Sequence, residues 1–105
     1  MISLQQAAQG FLSVGSSHRL EVLNALVRAG PDGLSVGQLK QRLEIPASTL
    51  AHHLRMLIDG GLITQQKQGR SVINRARFEY IEELANFLLQ ECCSESSCSA
   101  GSNDV

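Results

Sequence analysis

Three cysteines, Cys92, Cys93 and Cys98, fall within the last 14 residues of a 105-residue chain and nowhere else. Thiolates are soft ligands and redox-active nucleophiles. Two adjacent cysteines followed by a third, with only Ser94 to Ser97 between, allow three sulfurs to meet at one centre. An odd count at one end is not the disulfide framework of a secreted fold. No Cys-x-x-Cys and no glycine-rich phosphate loop point to a thiol enzyme, so no catalytic residue is expected. Capture of a soft metal or metalloid, oxidation to a disulfide or polysulfide, and no role at all stay open at this point. A zinc ion would need a fourth ligand, from Glu91 or Glu95.

A second set of residues suggests nucleic acid. The net charge of −1 argues against such a partner, but its distribution argues for one. Residues 40–77 hold seven bases (Lys40, Arg42, Arg55, Lys67, Arg70, Arg75, Arg77) against two acids, whereas residues 78–105 hold six acids and no base. A segregated basic segment is the footprint of a phosphate-contacting surface. Within it, Ser48, Thr49, His52 and Arg55 recur at spacings that share one side of a helix.

The elements that must position these residues follow from hydrophobic period and turn chemistry. The pattern predicts a first helix over 2–12, with Leu4, Ala7, Ala8, Phe11 and Leu12 as its apolar side. A second helix follows a cap at Ser16-Ser17, carries Leu20, Leu23, Ala25, Leu26 and Val27, and is stopped by Gly30-Pro31-Asp32-Gly33. Ser35 caps a third helix over 36–43. After the short turn Glu44-Ile45-Pro46, a fourth helix over 47–59 buries Leu50, Leu54, Leu57 and Ile58. Its opposite face shows Ser48, His52, Arg55 and Asp59, while His53, beside the stripe, is expected to pack. Two helices joined by a three-residue turn form a helix-turn-helix. Strands over 62–67 and 71–76, joined by Gln68-Gly69-Arg70, then form a wing whose Lys67, Arg70, Arg75 and Arg77 are expected to meet phosphates. A last helix over 78–92 has the stripe Phe78, Ile81, Leu84, Ala85, Leu88 and Leu89 and no good N-cap. The expected fold is mainly α with a small β-hairpin, a dimeric winged helix-turn-helix. It comprises a DNA-binding and dimerisation domain over 1–93 and a flexible Ser-rich tail over 94–105.

The stretch Ser48-Thr49-Leu50-Ala51-His52-His53-Leu54-Arg55-Met56-Leu57 resembles the recognition helix of the ArsR/SmtB family of metalloregulatory repressors. His18-Arg19-Leu20-Glu21-Val22-Leu23 resembles the start of that family's second helix, and Gly60-Gly61-Leu62-Ile63 with Gly69-Arg70 its strand and wing. The resemblance covers roughly residues 10–93. It implies a transcriptional repressor that binds double-stranded operator DNA as a homodimer, with Ser48, Thr49, His52, Arg55, Lys67 and Arg70 as its DNA-binding residues.

The family senses metals at several places, and two are missing here. Its arsenite site within Leu-Cys-Val-Cys-Asp-Leu corresponds to Leu34-Ser35-Val36-Gly37-Gln38-Leu39, without either cysteine. Its zinc site needs histidines on the last helix, which has none. The chain is instead similar to arsenite-responsive members with a C-terminal cysteine pair and a third cysteine. That similarity implies As(III) as inducer, with Sb(III) or an organoarsenical as variants, held by Cys92, Cys93 and Cys98 as a three-sulfur trigonal pyramid. A repressor of the same fold that responds to oxidants or sulfide is the alternative. No run approaches the roughly 20 apolar residues of a membrane span, and the N-terminus lacks a secretion-signal pattern; the expected location is cytoplasmic.

Overall fold

A computed structural model describes residues 1–96. Five helices and a three-stranded sheet follow in the order α1 (Leu4–Val14), α2 (Ser17–Ala29), β1 (Leu34–Ser35), α3 (Val36–Leu43), α4 (Ala47–Asp59), β2 (Ile63–Gln68), β3 (Ser71–Ala76) and α5 (Phe78–Leu89). None of these helices is long and apolar enough to cross a membrane.

Short polar side chains set most of the helix starts. Ser3 accepts a hydrogen bond from the Gln6 amide at 3.1 Å, and the Gln6 side chain accepts one from the Ser3 amide at 2.8 Å. This reciprocal pair begins α1 at Leu4, two residues later than the apolar pattern alone suggests. Ser35 and Gln38 repeat the arrangement at α3, and Ser16 caps α2. Gly30–Asp32 form a single 3₁₀ turn that ends the α2 region. β1, two residues long, was not expected; it pairs antiparallel with β3, Leu34 opposite Asn74. The hairpin turn is tighter than expected, since β2 runs one residue further, to Gln68, opposite Ser71. Gly69, at the first of two central positions with φ +61°, supplies the conformation such a turn needs.

The sheet order is β1-β3-β2, so β3 is central. Its Asn74 is fully buried. The Asn74 amide donates to the Leu34 carbonyl at 3.2 Å, and its Oδ1 accepts from Gln65 Nε2 at 2.8 Å, satisfying a polar group that would otherwise be costly to bury.

Val22 and Leu26 of α2, Leu39 of α3, Leu50 and Leu57 of α4, and Leu62 and Ile63 form the centre of the core, each at most 1% exposed. On α2, Leu20 and Val27 are exposed at 45% and 40%, and Val22 takes the buried place instead. The outer helices α1 and α5 meet where Gly10 leaves room for Leu84. Their remaining apolar residues are open: Leu4 is 72% exposed, Leu12 63%, Leu88 68% and Leu89 64%. α5 is shorter than predicted and ends at Leu89, so Cys92 and Cys93 lie in the turns beyond it.

Gly60, just past α4, faces buried Ser13 of α1 so closely that an added Cβ would collide with the serine hydroxyl. Gly60→Ala is therefore expected to destabilise the fold by about 1–3 kcal/mol. At Gly37, exposed within α3, an added Cβ meets only Ser35 Oγ at 3.8 Å, and alanine there is expected to be neutral or stabilising by up to about 1 kcal/mol. Urea unfolding of both variants beside the wild type checks this contrast.

Candidate nucleic-acid interface

α4 is amphipathic, and its burial determines what it can offer. Leu50, Leu54 and Leu57 sink into the core at 2% exposure or less. With that stripe fixed, Ser48, Thr49, His52 and Arg55 are all exposed on the outer side. Pro46 takes the cap position and provides no side-chain hydrogen bond. The first amides of α4 are thus left for an external acceptor, at the end of the helix that favours an anion.

The hairpin stands beside this face. Arg55, Ala51 and Ile58 of α4 share a groove of about 270 Å³ with Gln65 of β2 and Val72 of β3. Lys67 and Arg70, at the hairpin tip, are exposed. Among the described residues the only ion pair joins the N-terminal amine to Glu83 at 3.7 Å. The basic side chains of α4 and the hairpin tip therefore have no carboxylate among those residues to neutralise them.

Two of the four wing bases differ from expectation. Arg75 donates through Nε to the Pro31 carbonyl at 3.1 Å and through Nη1 to Gln66 Oε1 at 2.8 Å. Arg77 donates to the Gly61 carbonyl at 3.0 Å and lies over the Tyr80 ring, 5.2 Å from its centroid. Both tie the wing to the body of the domain. Their place on the central strand and its exit brings carbonyls of other segments within reach while Arg77 stays exposed, which an alternating pattern of charge does not reveal.

His53 packs as expected, 8% exposed. Its ring lies 5.9 Å from that of His18 on α2, nearly parallel, and 6.0 Å from that of His52. Burial pushes the His53 pKa below its usual 6.5, and the positive Arg19, then His18 and His52, push it the same way. Its buried Nδ1 has no hydrogen-bond partner. The arrangement favours a neutral ring.

Beyond α5, the Cys92 amide bonds to the Leu89 carbonyl at 2.9 Å, and Cys93 adopts a left-handed conformation with φ +60°. The two Sγ atoms lie 3.6 Å apart. Cys92 is an exposed free thiol, while Cys93 is disulfide-bonded. Cys98 lies outside the described residues. Within those residues no three His, Cys, Asp or Glu side chains form a cluster able to hold a metal.

A helix-turn-helix with an adjoining β-hairpin and an uncapped, outward-facing second helix defines the chain as a winged-helix DNA-binding protein. A family model described as a helix-turn-helix domain matches residues 14–66. The arsenical resistance operon repressor of Bacillus subtilis (strain 168) is 30% identical over 92 residues, covering 86% of this chain and 82% of that protein. An ArsR-like transcriptional regulator from Rhodococcus sp. RHA1 superimposes with a TM-score of 0.72 at 28% identity, over 82% of this chain and 78% of that one. HlyU from Vibrio cholerae N16961 superimposes with 0.68 at 27% identity, over 85% and 94%. The chain belongs to the ArsR/SmtB family of transcriptional repressors. That is a family of DNA-binding regulators and not of enzymes.

Sequence reasoning gave no role to His18, which stacks on His53, or to Arg19, whose charge bears on it. A signal was present: a basic pair in the first turn of a helix separated from α1 by only two residues.

The lowered His53 pKa has a direct consequence for stability. The unfolded chain takes up a proton near pH 6.5 that the folded chain binds less readily. The contribution of neutral His53 is complete above that pH and is lost as pH falls through 6.5 toward the lower folded value. The thermal midpoint should fall more steeply between about pH 7 and 5.5 for the wild type than for His53→Gln. Calorimetry across that range reads the difference.

Proposed function

We propose that this repressor binds operator DNA as a homodimer and is released when Cys92, Cys93 and Cys98 together capture As(III) or Sb(III). The observation that carries this reading is the placement of the cysteine pair at the end of α5, next to the exposed Leu88 and Leu89. With Leu4 and Leu12 of α1, these side chains supply an apolar surface that a second copy can bury. Small domains gain stability by such pairing, and exposed apolar residues on two neighbouring outer helices suit it.

The thiol spacing fits a shared soft centre. The Sγ atoms of Cys92 and Cys93 lie 3.6 Å apart, close enough for one soft centre to reach both. The protein's part is to supply thiolates: a small-molecule dithiol first reduces the Cys93 disulfide by exchange and leaves as its own cyclic disulfide, and each cysteine then loses a proton on ligation. Three sulfurs complete the coordination of a trivalent arsenical. The relative from Bacillus subtilis is itself named for arsenical resistance, which supports an arsenic-type inducer. Drawing residues 92–98 together against the end of α5 alters the surface on which the protomers pair. Successive major grooves on one DNA face lie about 34 Å apart, so a modest change in pairing misplaces two recognition helices. By reciprocity, DNA weakens inducer binding by the same factor, and about 150-fold, or 3 kcal/mol, makes a usable switch.

On the DNA, Ser48, Thr49 and His52 are assigned to base edges or phosphates and Arg55 to guanine or phosphate. Lys67 and Arg70 are assigned to phosphates beside the groove. A second reading, release by oxidant or sulfide, is supported by the exposed free thiol of Cys92, 3.6 Å from the Cys93 sulfur.

Two measurements test these assignments. Lys67→Ala and Arg70→Ala should each weaken binding on every duplex and reduce the slope of log affinity against log salt by about 0.9; an unchanged slope removes that residue from the interface. In fluorescence anisotropy under reducing conditions, arsenite should release wild-type protein from promoter DNA but leave the triple Cys→Ser variant bound. Release by hydrogen peroxide or sulfide and not by arsenite would establish the second reading.

A further inference from the structure

We infer that Arg19 is a positioning residue that fixes the angle between α1 and the recognition helix α4, and so sets where two recognition helices meet DNA. The inference rests on the proposed pairing through α1 and α5.

Arg19 stands in the first turn of α2 with its guanidinium turned back onto the end of α1. Its Nε donates to the Ser13 carbonyl, and its Nη2 donates to the Leu12 carbonyl at 3.4 Å. Both are carbonyls of the last turn of α1, at the end where a cation is favoured, and the Leu12 oxygen also accepts the Gly15 amide at 3.1 Å. The residue carrying one of them, Ser13, is fully buried and lies directly against Gly60 at the far end of α4. Its own hydroxyl is committed to the Gln9 carbonyl at 2.9 Å.

The same turn of α2 also touches α4 at a second point. His18, next to Arg19, stacks on His53 at 5.9 Å, in the middle of the recognition helix. Thus α1 bears on α4 at Gly60 through Ser13, while α2 bears on it at His53, and Arg19 links the two supports. The leucine stripe seats α4 in the core, and these two further points, at its middle and its end, define its tilt against α1 and α2. Because α1 belongs to the proposed dimer face and α4 carries the exposed Ser48, Thr49, His52 and Arg55, the tilt governs the separation of the two reading helices. Arg19 uses its guanidinium on backbone carbonyls and is not needed as a phosphate ligand.

The test uses the full-length chain and two DNA probes. One is the tightest duplex recovered from a random pool by selection with the wild type; the other is a random-sequence duplex of equal length. Arg19→Gln is expected to bind the selected duplex at least tenfold more weakly. Its affinity for the random duplex, its salt slope and its dimerisation by sedimentation should match the wild type. Arg19→Lys, which keeps a donor and a charge, should recover part of the loss, and it carries the test if the glutamine variant unfolds. Wild-type binding of both probes by the variants overturns the inference. Equal weakening on both probes, with a salt slope lower by about 0.9, overturns it too and makes Arg19 a phosphate contact. A wild type that sediments as a monomer overturns the pairing on which the inference rests. That failure is distinct, because it appears before any substitution is made.

Discussion

The arrangement depends on the burial of one stripe of leucines along α4. Leu50, Leu54 and Leu57 are buried in the core where α4 packs on α2, α1 and β2, and their removal from water holds the helix in place. A helix has only one such face to bury, so the side carrying Ser48, Thr49, His52 and Arg55 is turned outward by the same act. Function here is the complement of packing: the residues left over by the core are those that can read a ligand. Gly60 ends the helix where it would otherwise strike Ser13, so the close seat of α4 on α1 depends on the absence of a single methyl group.

The positive charge of residues 40–77 is sorted by backbone position. Lys67 and Arg70 project from the hairpin tip, where no neighbouring strand can claim them. Arg75 and Arg77 sit where β3 passes back into the body of the domain, and nearby carbonyls and the Tyr80 ring take them up. Bases that look alike in the sequence thus divide into solvent-facing cations and structural ties. His52 and His53 divide in the same way, one exposed and one buried with its ring stacked on His18.

At the other end of the molecule, α1 and α5 close together at Gly10 and Leu84 yet leave Leu4, Leu12, Leu88 and Leu89 in water. Sedimented monomers would carry that apolar surface uncovered, whereas a pair of protomers would hide it. The cysteine pair begins within three residues of the same surface, beyond the last residue of α5. Proximity of this kind is what lets chemistry at a terminus bear on assembly.

Much of this was legible in the residues alone. The bounds of α3 and α4, the Ser16 and Ser35 caps, the hairpin with its positive-φ Gly69 and the exposure of Ser48, Thr49, His52 and Arg55 all follow from local rules: period, capping and turn geometry act over a few residues. The first helix was misplaced because the Ser3–Gln6 capping pair outweighed an apolar residue at position 2. The last helix ends earlier than its stripe suggests, because Leu88 and Leu89 continue the helical period yet are left exposed among the described residues. The two-residue β1, the inward-facing Asn74, the engagement of Arg75 and Arg77, and the grip of Arg19 on α1 needed the tertiary structure. Each joins residues from separate elements, and a partner brought close by folding leaves no periodic mark on the chain that folds.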